Sequence, residues 1–263
     1  MASGVSARCG TTKEGQRVTH NLTAETITLV GHDGDEIEAY RALPTDVERA
    51  GSIVVIHHMP GYDEATKEIV RRFAANGYHA LMPNLYHRVA PGAAPDDAAA
   101  TARNLGGVPD EQLVGDVGGA MAHLRALATS NGKVASIGYC SGGRQSFLAG
   151  CRLPLDGVID CYGAFVAVDP PSEFPLKVKA VIGEARNLSA PLLGLFGAED
   201  TYPSPEQNEA LAAALTAAGK TFTFKTYDGA AHAFFAVDRP SYRPEVATEA
   251  WGEVFAFLAR TVG

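Results

Sequence analysis

Short apolar runs alternate with amphipathic stretches along most of this chain, and that rhythm is its main structural signal. Ile53-Val54-Val55-Ile56 is apolar without interruption, the pattern of a strand buried on both faces, and it predicts a central strand over 52–57. Residues 134–139 carry a second such run. Before them, apolar-rich stretches at 26–30 and 37–43 bracket His32-Asp33-Gly34-Asp35, whose Asp-Gly predicts a hairpin turn. Helical spacing follows over 64–76, with Ile69, Val70 and Phe73 on one face and Gly77 as the cap. A strand is expected at 78–82, then a Pro/Ala/Asp-rich loop to about residue 97, then a helix over 108–129. Further strands are expected at 157–161, 192–196 and 221–227, with an irregular, proline-containing stretch over 164–189. Ser204 and Pro205 read as the start of an amphipathic helix ending near 218. A closing helix over 243–262 turns Val246, Trp251, Val254, Phe255 and Leu258 inward. An antiparallel start followed by βα units predicts the α/β class, a mostly parallel sheet of about eight strands with helices on both faces. Residues 1–23 read as a polar N-terminal extension, and 24–263 as one domain.

Composition narrows the partners more than the fold. Of 263 residues, 46% are hydrophobic and 20% charged, an ordinary globular balance. The net charge of −8 argues against a nucleic-acid or anionic-membrane surface. No run of about 18 apolar residues and no signal-peptide pattern is present, so neither a span nor export is expected, and the cytoplasm is the default location. The four cysteines, Cys9, Cys140, Cys151 and Cys161, lack paired metal-ligand spacing and read as free thiols.

One of those thiols sits in a special place. The run 134–139 ends in Gly138-Tyr139-Cys140-Ser141-Gly142-Gly143, after which Arg144-Gln145-Ser146-Phe147 opens a helical pattern. Strand, Gly-x-nucleophile-x-Gly, helix is the layout of a nucleophile elbow. The central side chain rides a tight turn at a helix N-terminus, and its neighbours must be small because backbone crosses there. A cysteine in that position is a candidate nucleophile. The same glycines also fit a tight βα turn around a buried thiol, so the partners decide. In parallel sheets they come from the carboxyl ends of the strands. Those ends carry His57-His58-Met59, residues 84–88, Cys140, Tyr162, Glu199-Asp200 and His232. Nucleophile, acid, histidine is the chain order of α/β-hydrolase triads, and Cys140, Asp200 and His232 supply it, with Glu199 and Asp228 as rivals for the acid. His232 would then take the thiol proton and later activate water, while Asp200 fixes its tautomer. The backbone N–H groups of Met59 and Ser141 are the expected oxyanion hole.

With these residues in place, the chain from about residue 25 onward resembles the dienelactone hydrolase (carboxymethylenebutenolidase) family. The resemblance rests on Gly138 to Gly143, on Pro83-Asn84-Leu85-Tyr86-His87-Arg88-Val89-Ala90-Pro91-Gly92, on Asp200, and on His232-Ala233-Phe234. It implies an α/β-hydrolase fold and hydrolysis of a lactone or related ester through an acyl-Cys140 intermediate, with neither cofactor nor metal. The partner is then a small-molecule substrate, and a monomer or homodimer suffices. Two positions depart from the family pattern. His58 stands where the family places a thiol-controlling glutamate, and it would contact substrate or the thiolate. Arg88 matches the first of two carboxylate-binding arginines, but the second falls near Ala236, with Arg239 three residues beyond. Of the aromatics Tyr62, Tyr86, Tyr162, Phe165, Phe234 and Phe235, which could line an apolar pocket, Tyr86 and Phe234 rank first, and Arg144, Cys151 and Cys161 are expected to be structural. The competing readings are a general carboxylesterase or thioesterase on the same triad, and a reactive-thiol binding or sensor protein.

Overall fold

The computed structural model of the chain describes residues 19–263. Most of the expected N-terminal extension, including Cys9, therefore lies outside the described residues, and Leu22 and Thr23 already belong to the first strand. Strands β1 (Leu22–Val30) and β2 (Glu36–Pro44) form the expected hairpin, reversing through a single 3-10 turn at His32–Gly34. Then come β3 (Ala50–Ile56), α1 (Glu64–Ala75), β4 (His79–Pro83), α2 (Pro95–Leu105), α3 (Asp110–Arg125) and β5 (Ser130–Tyr139). The second half adds α4 (Ser141–Arg152), β6 (Gly157–Cys161), β7 (Leu192–Gly197), α5 (Pro205–Ala217), β8 (Phe222–Tyr227) and α6 (Pro244–Thr261).

All eight strands join one sheet in the order β1-β2-β4-β3-β5-β6-β7-β8. The β1–β2 and β2–β4 pairs are antiparallel, and every pair from β4 to β8 is parallel. This is the α/β-hydrolase fold. Strand geometry divides β3 between two cores, because successive side chains leave a strand on opposite faces. Val54 and Ile56 pack with α2, α3, α4 and α5, whereas Ile53 and Val55 pack with α1 and α6. All four are fully buried, each worth about 1.5–3 kcal/mol relative to exposure. No helix of the described residues is long and apolar enough to cross a membrane.

One element was not expected. The stretch read as a loop to about residue 97 becomes helical at Pro95, as α2. Its buried face is Ala98, Ala99 and Ala102, too small and too short a stripe to register as helical periodicity. The local punctuation was there: proline in the first turn, Asp96 and Asp97 beside it, and Gly106 closing the helix with φ 100°. The irregular stretch over 164–189 holds only a short 3-10 segment at Ile182–Asn187.

Candidate active site

The strand β5 delivers Cys140 into a turn with φ 58° and ψ −121°, a region that side chains rarely adopt, and α4 starts at the next residue. Two glycines make this possible. A Cβ on Gly138 would lie 1.8 Å from the Gly142 carbonyl oxygen, and one on Gly142 would lie 2.4 Å from that of Ile56. The elbow is therefore wedged against the end of β3.

The loops after β7 and β8 bring Asp200 and His232 to the same place. The His232 Nδ1–H donates to Asp200 Oδ2 at 2.8 Å, and Asp200 Oδ1 accepts the Tyr202 N–H at 2.9 Å. Of the three acids the sequence offered, Asp200 is the one that reaches the histidine and the one that is buried; Glu199 and Asp228 are exposed. Burial disfavours charge on His232, but the hydrogen bond to Asp200 and the Cys140 sulfur beside the ring outweigh it and lift its pKa to about 10. The edge of Tyr162 packs on the imidazole, with ring centroids 5.1 Å apart. No backbone hydrogen bond among the described residues uses the N–H of Met59 or of Ser141, and both residues border the same cleft. A sulfur, an imidazole held by a carboxylate, and two unspent N–H donors are the parts that acyl transfer requires. Among the described residues, no group of three His, Cys, Asp or Glu side chains is gathered to hold a metal ion.

The cleft above Cys140 has a volume of about 500 Å³ and mostly apolar walls. The segment after β6 supplies Phe165, Phe174, Leu176 and Val178, and Phe165 and Phe174 pack edge-on to each other and against Tyr202. Tyr86 is in the wall, as expected, and donates its O–H to the Met59 carbonyl at 2.8 Å. Arg144 is there too, but a two-pronged pairing with Asp110 at 2.8 and 3.0 Å and hydrogen bonds to the Lys179 carbonyl occupy its guanidinium. Arg103, on the unexpected helix α2, is exposed at the cleft wall with no carboxylate at ion-pair distance among the described residues. Sequence reasoning missed it because it missed the helix.

Three expected substrate contacts lie elsewhere. Arg88 is not in the cleft: it donates to both oxygens of Asp116, at 2.9 and 3.0 Å, to Asp35 at 2.7 Å and to the His32 carbonyl at 3.2 Å. Asp116 is completely buried on α3, so it needs a cation, and Arg88 is the one that serves it. His58 turns away from Cys140 to pair with Asp63 at 2.8 Å, beside a separate cavity of about 90 Å³. Although burial works against its charge, hydrogen bonds from His58 and the Thr66 N–H hold the Asp63 carboxyl down at about 2. Phe234 is fully buried among Tyr162, Tyr227 and Phe235. Arg239 pairs with its neighbour Asp238 at 3.6 Å and does not border the cleft. The thiols of Cys151 and Cys161 are buried and do not border the cleft, although the Cys161 carbonyl accepts the Cys140 N–H at 3.1 Å; burial pushes both thiols up, Cys151 to about 12.

Comparison with known proteins points to one family. The profile of the dienelactone hydrolase family matches residues 37–262. A Salmonella typhimurium protein named "Putative carboxymethylenebutenolidase" is 33% identical over 247 residues, covering 90% of this chain and 87% of that protein. A Methylorubrum extorquens protein of the same name is 32% identical over 242 residues, covering 88% and 79%. Among solved structures, one described as a "Putative Dienelactone Hydrolase" from Klebsiella pneumoniae superposes with a TM-score of 0.79 at 28% identity, covering 91% of this chain and 99% of that one. The profile spans the sheet from β2 through α6, and with it Cys140, Asp200 and His232. This chain belongs to the dienelactone hydrolase family and is a carboxylic ester hydrolase.

Proposed function

We propose that the chain hydrolyses a lactone or related carboxylic ester through an acyl-Cys140 intermediate. The observation that carries this reading is the Cys140 sulfur on its elbow, opening into the cleft beside an imidazole already held by Asp200. In the first half-reaction the sulfur, its proton passed to His232, forms a bond to the ester carbonyl carbon. The carbonyl electron pair becomes an oxyanion facing the Met59 and Ser141 N–H groups, a donor pair of which each member is worth about 10²–10³ in kcat. Collapse breaks the C–O bond, and His232 protonates the departing alkoxide. In the second half, water gives a proton to His232 as its oxygen bonds to the thioester carbonyl carbon; the C–S bond then breaks, the acid leaves, and His232 returns the proton to the Cys140 sulfur.

The walls argue for a bulky, largely apolar ester with at most one acidic group, rather than a compact and strongly anionic lactone. Arg88 and Arg239 are engaged outside the cleft and Arg144 is neutralised by Asp110, which leaves Arg103 for an anionic end. This favours a carboxylesterase-like range on the same triad as the second reading. The deciding experiment compares hydrolysis of cis-dienelactone with neutral aryl esters, in wild type and Cys140→Ala, with intact-mass detection of an acylated enzyme. Turnover and acyl adduct both lost in Cys140→Ala support the mechanism, and the preferred ester chooses between the two substrate readings. Stoichiometric modification of Cys140 without turnover of any ester would refute the hydrolytic mechanism in favour of a thiol-based sensor.

A further inference from the structure

His57 is fully buried, sits at the end of the central strand β3, and takes no part in the steps above. Its two ring nitrogens are both engaged with backbone. Nε2 lies 3.3 Å from the Leu85 nitrogen, and Nδ1 lies 2.9 Å from the His58 carbonyl oxygen. A backbone N–H can only donate, so Nε2 must be the acceptor, and the ring proton belongs on Nδ1, where it donates to the His58 carbonyl. That carbonyl and the Met59 N–H belong to one peptide group, and in a trans peptide the two point in opposite directions. That carbonyl accepts the Gly61 N–H as well, at 2.9 Å across a turn, so His57 shares its anchoring; a carbonyl held there leaves the Met59 N–H directed the other way, and Met59 borders the cleft. The next carbonyl, that of Met59, is anchored as well, by the Tyr86 O–H at 2.8 Å. The Tyr86 ring in turn packs edge-on to His57 at 4.8 Å. Both carbonyls flanking the Met59 N–H are thus held, and among the described residues the N–H itself has no backbone acceptor.

We propose that His57 is a positioning residue that holds the His58–Met59 peptide so that its N–H serves as one of the two oxyanion donors. The inference rests on the acyl-Cys140 reading. The charge state of the ring fits this role. Burial outweighs the hydrogen bond to the His58 carbonyl and pushes the ring down to about 4, so the single proton stays on Nδ1 at any pH where the protein would be assayed. A donated hydrogen bond to the carbonyl also polarises the peptide and strengthens its N–H as a donor.

Three replacements separate the two bonds. His57→Phe removes both, His57→Asn places an amide N–H near the position of Nδ1, and His57→Gln offers an acceptor to Leu85 alone. In ester hydrolysis His57→Phe and His57→Gln should lose about 10²–10³ in kcat, the cost of one oxyanion donor, with KM within about threefold of wild type. His57→Asn should recover at least tenfold of that loss. Alkylation of Cys140 by iodoacetamide passes through no oxyanion, so its rate should stay within twofold in all three. Equal losses in the Asn and Gln variants, or alkylation falling in step with turnover, would overturn the proposal, since either would mean a general collapse of the site. Folding is checked by near-ultraviolet circular dichroism; if His57→Phe does not fold, the Asn and Gln pair alone carries the comparison. Cys140→Ala is run beside them: full turnover there refutes the acyl-Cys140 reading itself, whereas loss there with undiminished kcat in His57→Gln refutes only the role of His57.

Discussion

Arg88 is where the geometry reverses an expectation drawn from family resemblance, and its replacement makes the sharpest test. Arg88→Met keeps the aliphatic stem and removes the guanidinium. Asp116 is then left completely buried, with only the His32 N–H, at 2.9 Å, still donating to it. Removing one partner of a buried pair costs about 3–5 kcal/mol, because the remaining charge is stranded in a poor dielectric. The second pairing of Arg88, with Asp35, is exposed on the acid's side and adds about 0–1 kcal/mol. For a chain of this size about 1 kcal/mol moves the melting temperature by roughly 2–4 °C, so a fall on the order of 6–20 °C is expected. Thermal unfolding would be measured beside kcat/KM for a carboxylate-bearing ester and its neutral methyl ester, at a temperature where both proteins are folded. The two esters should be affected alike. Replacing both members, as in Arg88→Met with Asp116→Leu, should restore much of the stability, because no stranded charge remains. An Arg88→Met protein with an unchanged melting temperature and a KM raised only for the carboxylate ester would refute this reasoning and return Arg88 to substrate binding.

Two further outcomes are expected. The His232 pKa is raised to about 10 from an ordinary 6.5, so its contribution to stability is complete below about pH 6.5 and disappears as the pH rises through 10. The stability gap between wild type and His232→Gln, measured by denaturant unfolding at pH 6, 8 and 10, should therefore narrow steadily; a gap independent of pH would contradict the Asp200–His232 pairing. Arg103→Ala should raise KM for anionic esters by roughly two- to fivefold, the reach of an exposed ion pair, and leave neutral esters unchanged. Equal effects on both would remove Arg103 from substrate recognition.

What the sequence revealed and what it hid divide along a physical line. Ile53 to Ile56 and residues 134–139 announced buried strands because a strand covered on both faces has no polar side to show. The elbow was legible because its glycines are forced by close backbone: Gly138 meets the Gly142 carbonyl four residues on, and Gly142 meets the end of β3. The cluster of Cys140, Asp200 and His232 followed from parallel topology, which gathers the strand ends. Side-chain direction was the hidden part. Arg88, His58 and Phe234 each lie next to segments that build the site, yet each is drawn off by a partner with no local signature: Asp116 on α3, Asp63 at the start of α1, and the ring of Tyr227. The apolar cleft wall was legible only in part: Tyr86 and Phe165 were among the candidate aromatics, whereas Phe174, Leu176 and Val178 come from a stretch without periodicity.

The backbone angles at Cys140 carry a consequence for how such a chain drifts under selection. A residue with a side chain at φ 58° and ψ −121° costs of order 1–3 kcal/mol, whereas glycine visits that region freely. Glycine gives back part of this, about 0.4–1 kcal/mol, through the larger freedom of its unfolded chain. Cys140→Gly should therefore melt no lower than wild type and above Cys140→Ala, which keeps the strained Cβ. If Cys140 carries the reaction as proposed, fold stability and turnover favour different residues at this one position, and a lineage released from the need for the reaction would be expected to lose the cysteine first.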